Sequence, residues 1–283
     1  MILVIGRTVE SVREKASNNY KVMQYWFMRN KLKLNNQKTH FMFMMTRQRA
    51  AGKSLQDLVD FGGETVAPSK SEKILGITIE SNMSMHAHLV GGESSVLMQI
   101  SKKMRALWLL KSHLTFKSRK MTAWGLVMSK LLYGIEVWGP SASDKQISQM
   151  QVIQNLIMRW ICAAKRGTRT RDLLRMTGMM SMRQLVMYRV LMAGLTASWN
   201  GTPAAMSTRK EEPVRRLQLT TRSFRFYFSK LYQRIPDSIL MKDPKKNKSE
   251  IKKWIYRNIP WNEKWEGIGE TTLETDDSEN DDD

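Results

Sequence analysis

The hydrophobic period changes twice along this chain, and that change confines the fold more tightly than any other feature. Val9, Val12, Ala16, Tyr20, Met23 and Phe27 recur at intervals of three and four, which marks one buried face of a helix. Thr8 or Ser11 can cap its start, and the pattern runs to about Asn30. Short apolar runs follow at residues 41–45, 58–61 and 64–67, the last two flanking Gly62-Gly63 as a hairpin, and residues 74–79 alternate around Gly76. Residues 2–5 read as one more short strand, ending at Gly6.

From about Ser84 the helical period returns in three stripes. Leu97, Ile100, Met104, Leu107 and Trp108 form the first; Met121, Trp124, Met128, Leu131 and Ile135 the second; Ile147, Met150, Ile153, Ile157 and Trp160 the third. Short connections at residues 112–115 and 139–143 fold such stripes into a bundle. Two more helices are predicted over residues 170–176 and 182–199, ending at Asn200-Gly201-Thr-Pro203, a strong stop. A linker to Pro213 and helices over residues 222–233 and 249–256 complete the body. The pattern predicts an α+β, mainly α fold: a small antiparallel sheet with one packed helix, then a helical bundle and a helical extension.

Charge narrows the partners. The formal net charge is +20, yet residues 266–283 hold nine acids and no base, so setting that tail aside leaves +29 on residues 1–265. A body this basic attracts a polyanion, because each phosphate it neutralises releases a condensed counterion. Nucleic acid is the leading partner; a solvated basic surface, an anionic membrane or an acidic protein are the competing readings. The acidic tail reads as disordered. Cys162, the one cysteine, excludes an internal disulfide and a cysteine-rich zinc knuckle, and its apolar neighbours mark it as a small core residue. No apolar run reaches the ~18 residues of a membrane span, and residues 1–5 are too short for a secretory core. The expectation is an intracellular protein, nuclear or cytoplasmic, with the lysines Lys242, Lys245, Lys246, Lys248, Lys252 and Lys253 serving either nuclear entry or plain solvation.

Candidate chemistry is sparse. Asp57 and Asp60 flank a hairpin, Glu211-Glu212 fall in the linker, and the tail acids lack a strand to hold them, so no metal site is expected. His86-x-His88 lacks a third ligand at suitable spacing. The run from Arg222 to Arg234 interleaves basic and aromatic residues as a base-stacking surface does, but Phe224, Tyr227, Phe228 and Leu231 share one helical face, which favours core packing.

Three motifs stand in order: Trp26-x3-Asn30-x-Leu32-x-Leu34-Asn35-x2-Lys38-Thr39, Lys73-Ile-Leu-Gly-Ile-Thr-Ile-Glu80 and Tyr133-Gly-Ile-Glu-Val-Trp-Gly-Pro140. Together, across about residues 1–200, they make the chain resemble the reverse transcriptases of non-LTR retrotransposons, RNA-directed DNA polymerases. The resemblance implies that residues 1–83 correspond to the C-terminal part of the palm, 84–166 to a thumb-like helical bundle and 167–265 to a basic helical extension, followed by the tail at 266–283. In that family an Ala-Asp-Asp turn holding two catalytic carboxylates precedes a strand like residues 2–5; the chain begins after it.

By the same resemblance Lys38 matches a lysine proposed to neutralise departing pyrophosphate; the competing reading is a solvated lysine at a strand start. Lys73 and Gly76 fall in the counterpart of the primer grip, where Gly76 would allow close backbone approach. Lys102, Lys103, Arg105, Lys117, Arg119 and Lys120, with Lys111 and Lys130, lie outside the apolar stripes and are candidate phosphate contacts. Tyr133 and Trp138 read as core aromatics. His88 matches a histidine that commonly follows the grip strand, a structural position. No catalytic set is complete, no cofactor is expected in this chain, and the two Mg ions of the family belong to a whole polymerase. The expected partners are RNA, DNA or an RNA–DNA hybrid, with no membrane; no feature encodes an oligomeric state. The expectation is a C-terminal fragment that binds nucleic acid without polymerising. Two further readings stand beside it: a non-enzymatic nucleic-acid-binding protein derived from a retroelement, and a truncated gene model of an active polymerase.

Overall fold

The structure, a computed structural model, describes residues 2–35, 38–45, 47–53, 55, 58–60, 65–199, 224–240 and 242–262. The chain divides into two compact units, Met1–Gln99 and Ile100–Asp283. The fold is α+β and mainly α, with two small antiparallel sheets.

In the first unit, helix α1 (Val9–Arg29) begins where Thr8 Oγ1 accepts the Ser11 N–H at 3.1 Å, satisfying one of the orphan donors of a first turn. It ends where the Asn30 amide donates to the Trp26 carbonyl at 2.8 Å. Ala16 and Tyr20 of its inner face join Val59 in a small core, with Val4, Leu34, Phe41 and Val66 packed around it. A short helix α2 (Arg47–Ala50) follows. Strands β1 (Val59–Asp60) and β2 (Thr65–Val66) pair antiparallel, Val59 opposite Val66. Gly62-Gly63, the expected turn between them, lies outside the described residues.

The alternation around Gly76 is that of a hairpin: residues 74–79 join β3 (Ser71–Ile74) to β4 (Ile77–Glu80), with Lys73 opposite Thr78. Leu75 and Gly76 make the turn at φ 49° and 85°, the two positive values that a two-residue turn matched to strand twist requires. Helix α3 (His86–Leu89) docks on β4: the Glu80 carboxylate accepts from the Ala87 N–H at 2.9 Å and from the Ser84 hydroxyl at 2.6 Å. The buried His88 ring accepts the Thr78 N–H at 3.3 Å, which gives this histidine a structural duty. Residues 2–5 form no strand, because no described strand pairs with them, and Ile5 is 77% exposed. Residues 41–45 contribute a single bridge, Phe41 to Pro68.

Helix α4 (Val96–Leu109) crosses the division between the units and buries Ile100, Met104 and Leu107 as its stripe predicts. Helix α5 (Phe116–Ala123) starts at Thr115, which accepts the Ser118 N–H at 3.2 Å, and runs into a π turn (Trp124–Met128) and α6 (Ser129–Leu131). That π turn adds one residue and shifts the second stripe. Downstream, Met128, Leu131 and Ile135 are buried as expected; upstream, Ala123 is buried while Met121 is 66% exposed.

Helix α7 (Ile135–Trp138) and a 3₁₀ turn (Gly139–Ser141) lead to α8 (Asp144–Cys162), which opens with a capping box between Ser143 and Gln146. The third stripe is seated by a hydrogen bond from the buried Trp160 indole N–H to the Leu107 carbonyl at 2.8 Å. Helix α9 (Thr170–Thr177) ends at Gly178, φ 61°, and α10 (Met182–Trp199) follows. Helices α11 (Phe224–Arg234), α12 (Asp237–Leu240) and α13 (Lys248–Asn258) close the unit.

Met182, Leu185, Val186, Met187, Val190, Leu191 and Leu195 are all buried, so α10 has almost no wet face. It packs against α7, α8, α11 and α13. Where α11 crosses it, a Cβ on Gly194 would stand 2.1 Å from the Phe228 ring, so this mid-helix glycine is a site of close helix approach. Tyr227, Phe228 and Leu231 are buried, which makes the aromatic run core packing as expected. Gly194→Ala should therefore lower stability by about 1–3 kcal/mol through overpacking, despite alanine's better helix propensity. Thermal denaturation checks this; a melting temperature at or above that of the parent would refute the close-packing account.

Candidate nucleic-acid interface

The basic side chains of α4 and α5 fall into two groups, sorted by the same helix geometry that built the core. Lys102 and Arg105 lie on the face of α4 opposite Ile100, Met104 and Leu107, and both are exposed. Lys117, at the start of α5, is exposed as well. Arg105 and Lys117 have no hydrogen-bonding or ionic partner among the described residues. Arg105 and Lys117 can swing toward a phosphate at little cost, because nothing among the described residues holds them.

The other candidate cations of α4 and α5, Lys103, Arg119 and Lys120, are engaged. Lys103 flanks the core stripe and donates to the Leu126 carbonyl, inside the π turn, at 3.0 Å. Arg119 donates to the Lys111 carbonyl just past the end of α4, at 3.0 Å. Lys120 donates to the Thr177 carbonyl, the last residue of α9, at 2.7 Å. Arg119 and Lys120 carry positive charge to carbonyls at helix C-termini, where hydrogen-bond partners are short and the helix dipole is negative, and Lys103 reaches a carbonyl of the π turn. Lys120 turns inward because the π turn moves the buried stripe onto its side of α5, a shift that a uniform period of 3.6 residues conceals. Lys111 is half-buried with its ammonium 5.0 Å from the Trp108 ring centre, a cation–π contact.

The motif residues of the resemblance have local structural duties. The Tyr133 carbonyl accepts the Trp138 indole N–H at 2.8 Å, and Gly134 between them holds φ 61°. Trp138 is fully buried, but Tyr133 is 55% exposed, so only one of the two expected core aromatics is in the core. In the first unit Lys73 and Gly76 are both exposed on the β3–β4 hairpin. The positive φ of Gly76 serves the turn, which supplies a complete reason for glycine there without a close backbone approach. Lys38 is exposed and donates its backbone N–H to the Asn35 carbonyl at 3.0 Å.

Asp57, Glu211-Glu212 and the tail acids lie outside the described residues; Asp60 is exposed on β1. Among the described residues no group of three His, Cys, Asp or Glu side chains converges as a metal site. No described helix is long and apolar enough to cross a membrane. Cys162 is half-buried rather than fully in the core; burial pushes its thiol above the ordinary value, against the lowering pull of Arg119 and Lys120.

Two substitutions separate the groups. Lys120→Met should cost about 1–3 kcal/mol by leaving the buried Thr177 carbonyl without its donor, whereas Lys117→Ala should stay within about 0.5 kcal/mol of the parent. Chemical denaturation of both variants measures this, and equal losses would undo the distinction. No protein-family model matches the chain, and neither a curated protein nor a solved structure matches it.

Proposed function

We propose that this chain binds nucleic acid through the phosphate backbone, corresponding to the C-terminal part of a non-LTR retrotransposon reverse transcriptase and not polymerising by itself. The observation that carries the binding is the outward face of α4 and α5, with exposed Lys102, Arg105 and Lys117, on a body of +29. Contacts of this kind are to phosphate, so the ligand is RNA, DNA or their hybrid without sequence preference. The family part of the reading rests on the three ordered motifs. The absence of polymerisation rests on the acids: nucleotidyl transfer needs carboxylates held together for two divalent ions, and the sequence offers no such pair on a positioned strand. Lys38 could act on pyrophosphate only beside such carboxylates.

Binding of a fluorescently labelled RNA–DNA hybrid should fall steeply with salt, with log affinity linear in log salt. The double variant Arg105→Ala/Lys117→Ala should flatten that slope by about 1.8, as expected for two lost phosphate contacts at ~0.9 each. A slope unchanged by the substitution would locate the interface elsewhere. Removing residues 266–283 should raise affinity at low salt, because nine acids on the same chain compete for the basic surface, and the gain should vanish at high salt. Primer extension by the purified chain with Mg and deoxynucleotides should remain at background; sustained extension would overturn the reading.

A further inference from the structure

A second basic feature of the Ile100–Asp283 unit is carried by α9 and α13. A cleft of about 390 Å³ opens between α9 and the end of α13, within the size range of small-ligand sites. Its rim carries Arg171, Arg175, Arg257, Tyr256 and Trp261, all exposed, and no acid among the described residues lines it. Its floor is buried and largely apolar: Leu174, Ile259 and Gln184, the last fixed by donating to the Ile259 carbonyl at 2.7 Å.

None of the three guanidinium groups has a hydrogen-bonding or ionic partner among the described residues. Helix dipoles account for two of them, since Arg175 and Arg257 sit in the last turns of α9 and α13. They do not account for Arg171, the second residue of α9, where positive charge faces the positive end of the helix. Arg171 and Arg175 are also one turn apart on the same helix, a mutually repulsive spacing that a bound anion would relieve.

We propose that this cleft holds one nucleotide of a single-stranded nucleic-acid segment, its phosphate on the arginines and its base against Tyr256 and Trp261. Guanidinium groups match phosphate oxygens in paired N–H geometry. Half-open aromatic rings over an apolar floor suit a base face, which only an unstacked strand presents. A duplex offers phosphates but no base face, so it would leave Tyr256 and Trp261 unused. The inference rests on the nucleic-acid reading above but assigns a different surface and a different strand state.

The test uses the full chain and two probes, a labelled ten-nucleotide oligothymidylate and a blunt RNA–DNA hybrid, followed by fluorescence anisotropy. Tyr256→Ala/Trp261→Ala should weaken oligothymidylate binding about tenfold, the loss expected when base stacking is removed, and leave hybrid binding within about twofold. Trp261→Phe should retain most of the affinity, because phenylalanine still stacks. An oligonucleotide carrying 5-bromodeoxyuridine should cross-link to a peptide containing Tyr256 or Trp261. If the hybrid binds and the double variant binds oligothymidylate like the parent, the cleft proposal falls while the phosphate-backbone reading stands. If neither probe binds, both fall. Equal loss for both probes, or binding of a phosphoserine peptide in place of oligothymidylate, overturns the cleft as a nucleotide site.

Discussion

The second unit is organised by a helix that cannot face water. Buried side chains surround most of α10, so α7, α8, α11 and α13 are drawn onto it from several sides, and each contact must be made at helix-packing density. Two glycines carry that requirement. Gly194 admits the Phe228 ring of α11, and Gly139 admits Val186, whose methyl would stand 2.8 Å from an added Cβ. Polar groups near the same helix are tied off. Gln154 donates to the Met180 carbonyl at 2.8 Å, and the Met182 N–H donates to Gln151 at 2.9 Å, so the connection into α10 is hydrogen-bonded to α8. Ser181 and Gln184 cap α10 reciprocally, and Gln184 then reaches the Ile259 carbonyl. Helix α10 holds the end of α13, and α8 packs against α9; α9 and the end of α13 are the two walls of the arginine cleft.

The π turn has the opposite character, a local irregularity with a long reach. By shifting the buried stripe one residue, it places Lys120 where its ammonium meets the end of α9, and the Leu126 carbonyl within the turn meets Lys103. Two of the cations that composition alone would assign to a polyanion are thereby recruited to the fold. Net charge overstates the binding surface for this reason: a lysine that satisfies a buried carbonyl is unavailable to phosphate without leaving that carbonyl unpaired.

Periodicity revealed the helices because burial and helical geometry impose the same spacing. Thr8 and Asn30 bounded α1 correctly, and the stripes of α4 and α8 matched the core except at Trp108, which is 41% exposed, and at the half-buried Leu97 and Ile153. The strands were less legible. A run such as residues 74–79 alternates whether it is one strand or the facing ends of two, and only the pair of positive φ values at Leu75 and Gly76 distinguishes them. A leucine in a left-handed conformation is costly enough that sequence reasoning does not place it in a turn. Residues 2–5 have strand composition but no described partner, and a ladder needs two strands. The cleft was missed for another reason: Arg171 and Tyr256 lie far apart in sequence, and only the fixed positions of α9 and α13 bring them to one rim.

Each of the three ordered motifs contains a residue whose identity the local backbone already demands. Asn30 completes the end of α1, Gly76 turns a hairpin, and Gly134 lets the Trp138 indole reach the Tyr133 carbonyl. Residues held for such reasons reflect the local fold. On the proposed reading, binding comes from side chains the fold does not use. Arg105 and Lys117 on α4 and α5, and Arg171, Arg175 and Arg257 around the cleft, are among the basic residues of the second unit that meet this criterion. The first set lies on helices that also expose Trp108 and Phe116, whereas the second lines a cleft together with Tyr256, Trp261 and a buried floor. Charge on an open helix face holds a backbone; a cleft that gathers charge and rings can also enclose a base.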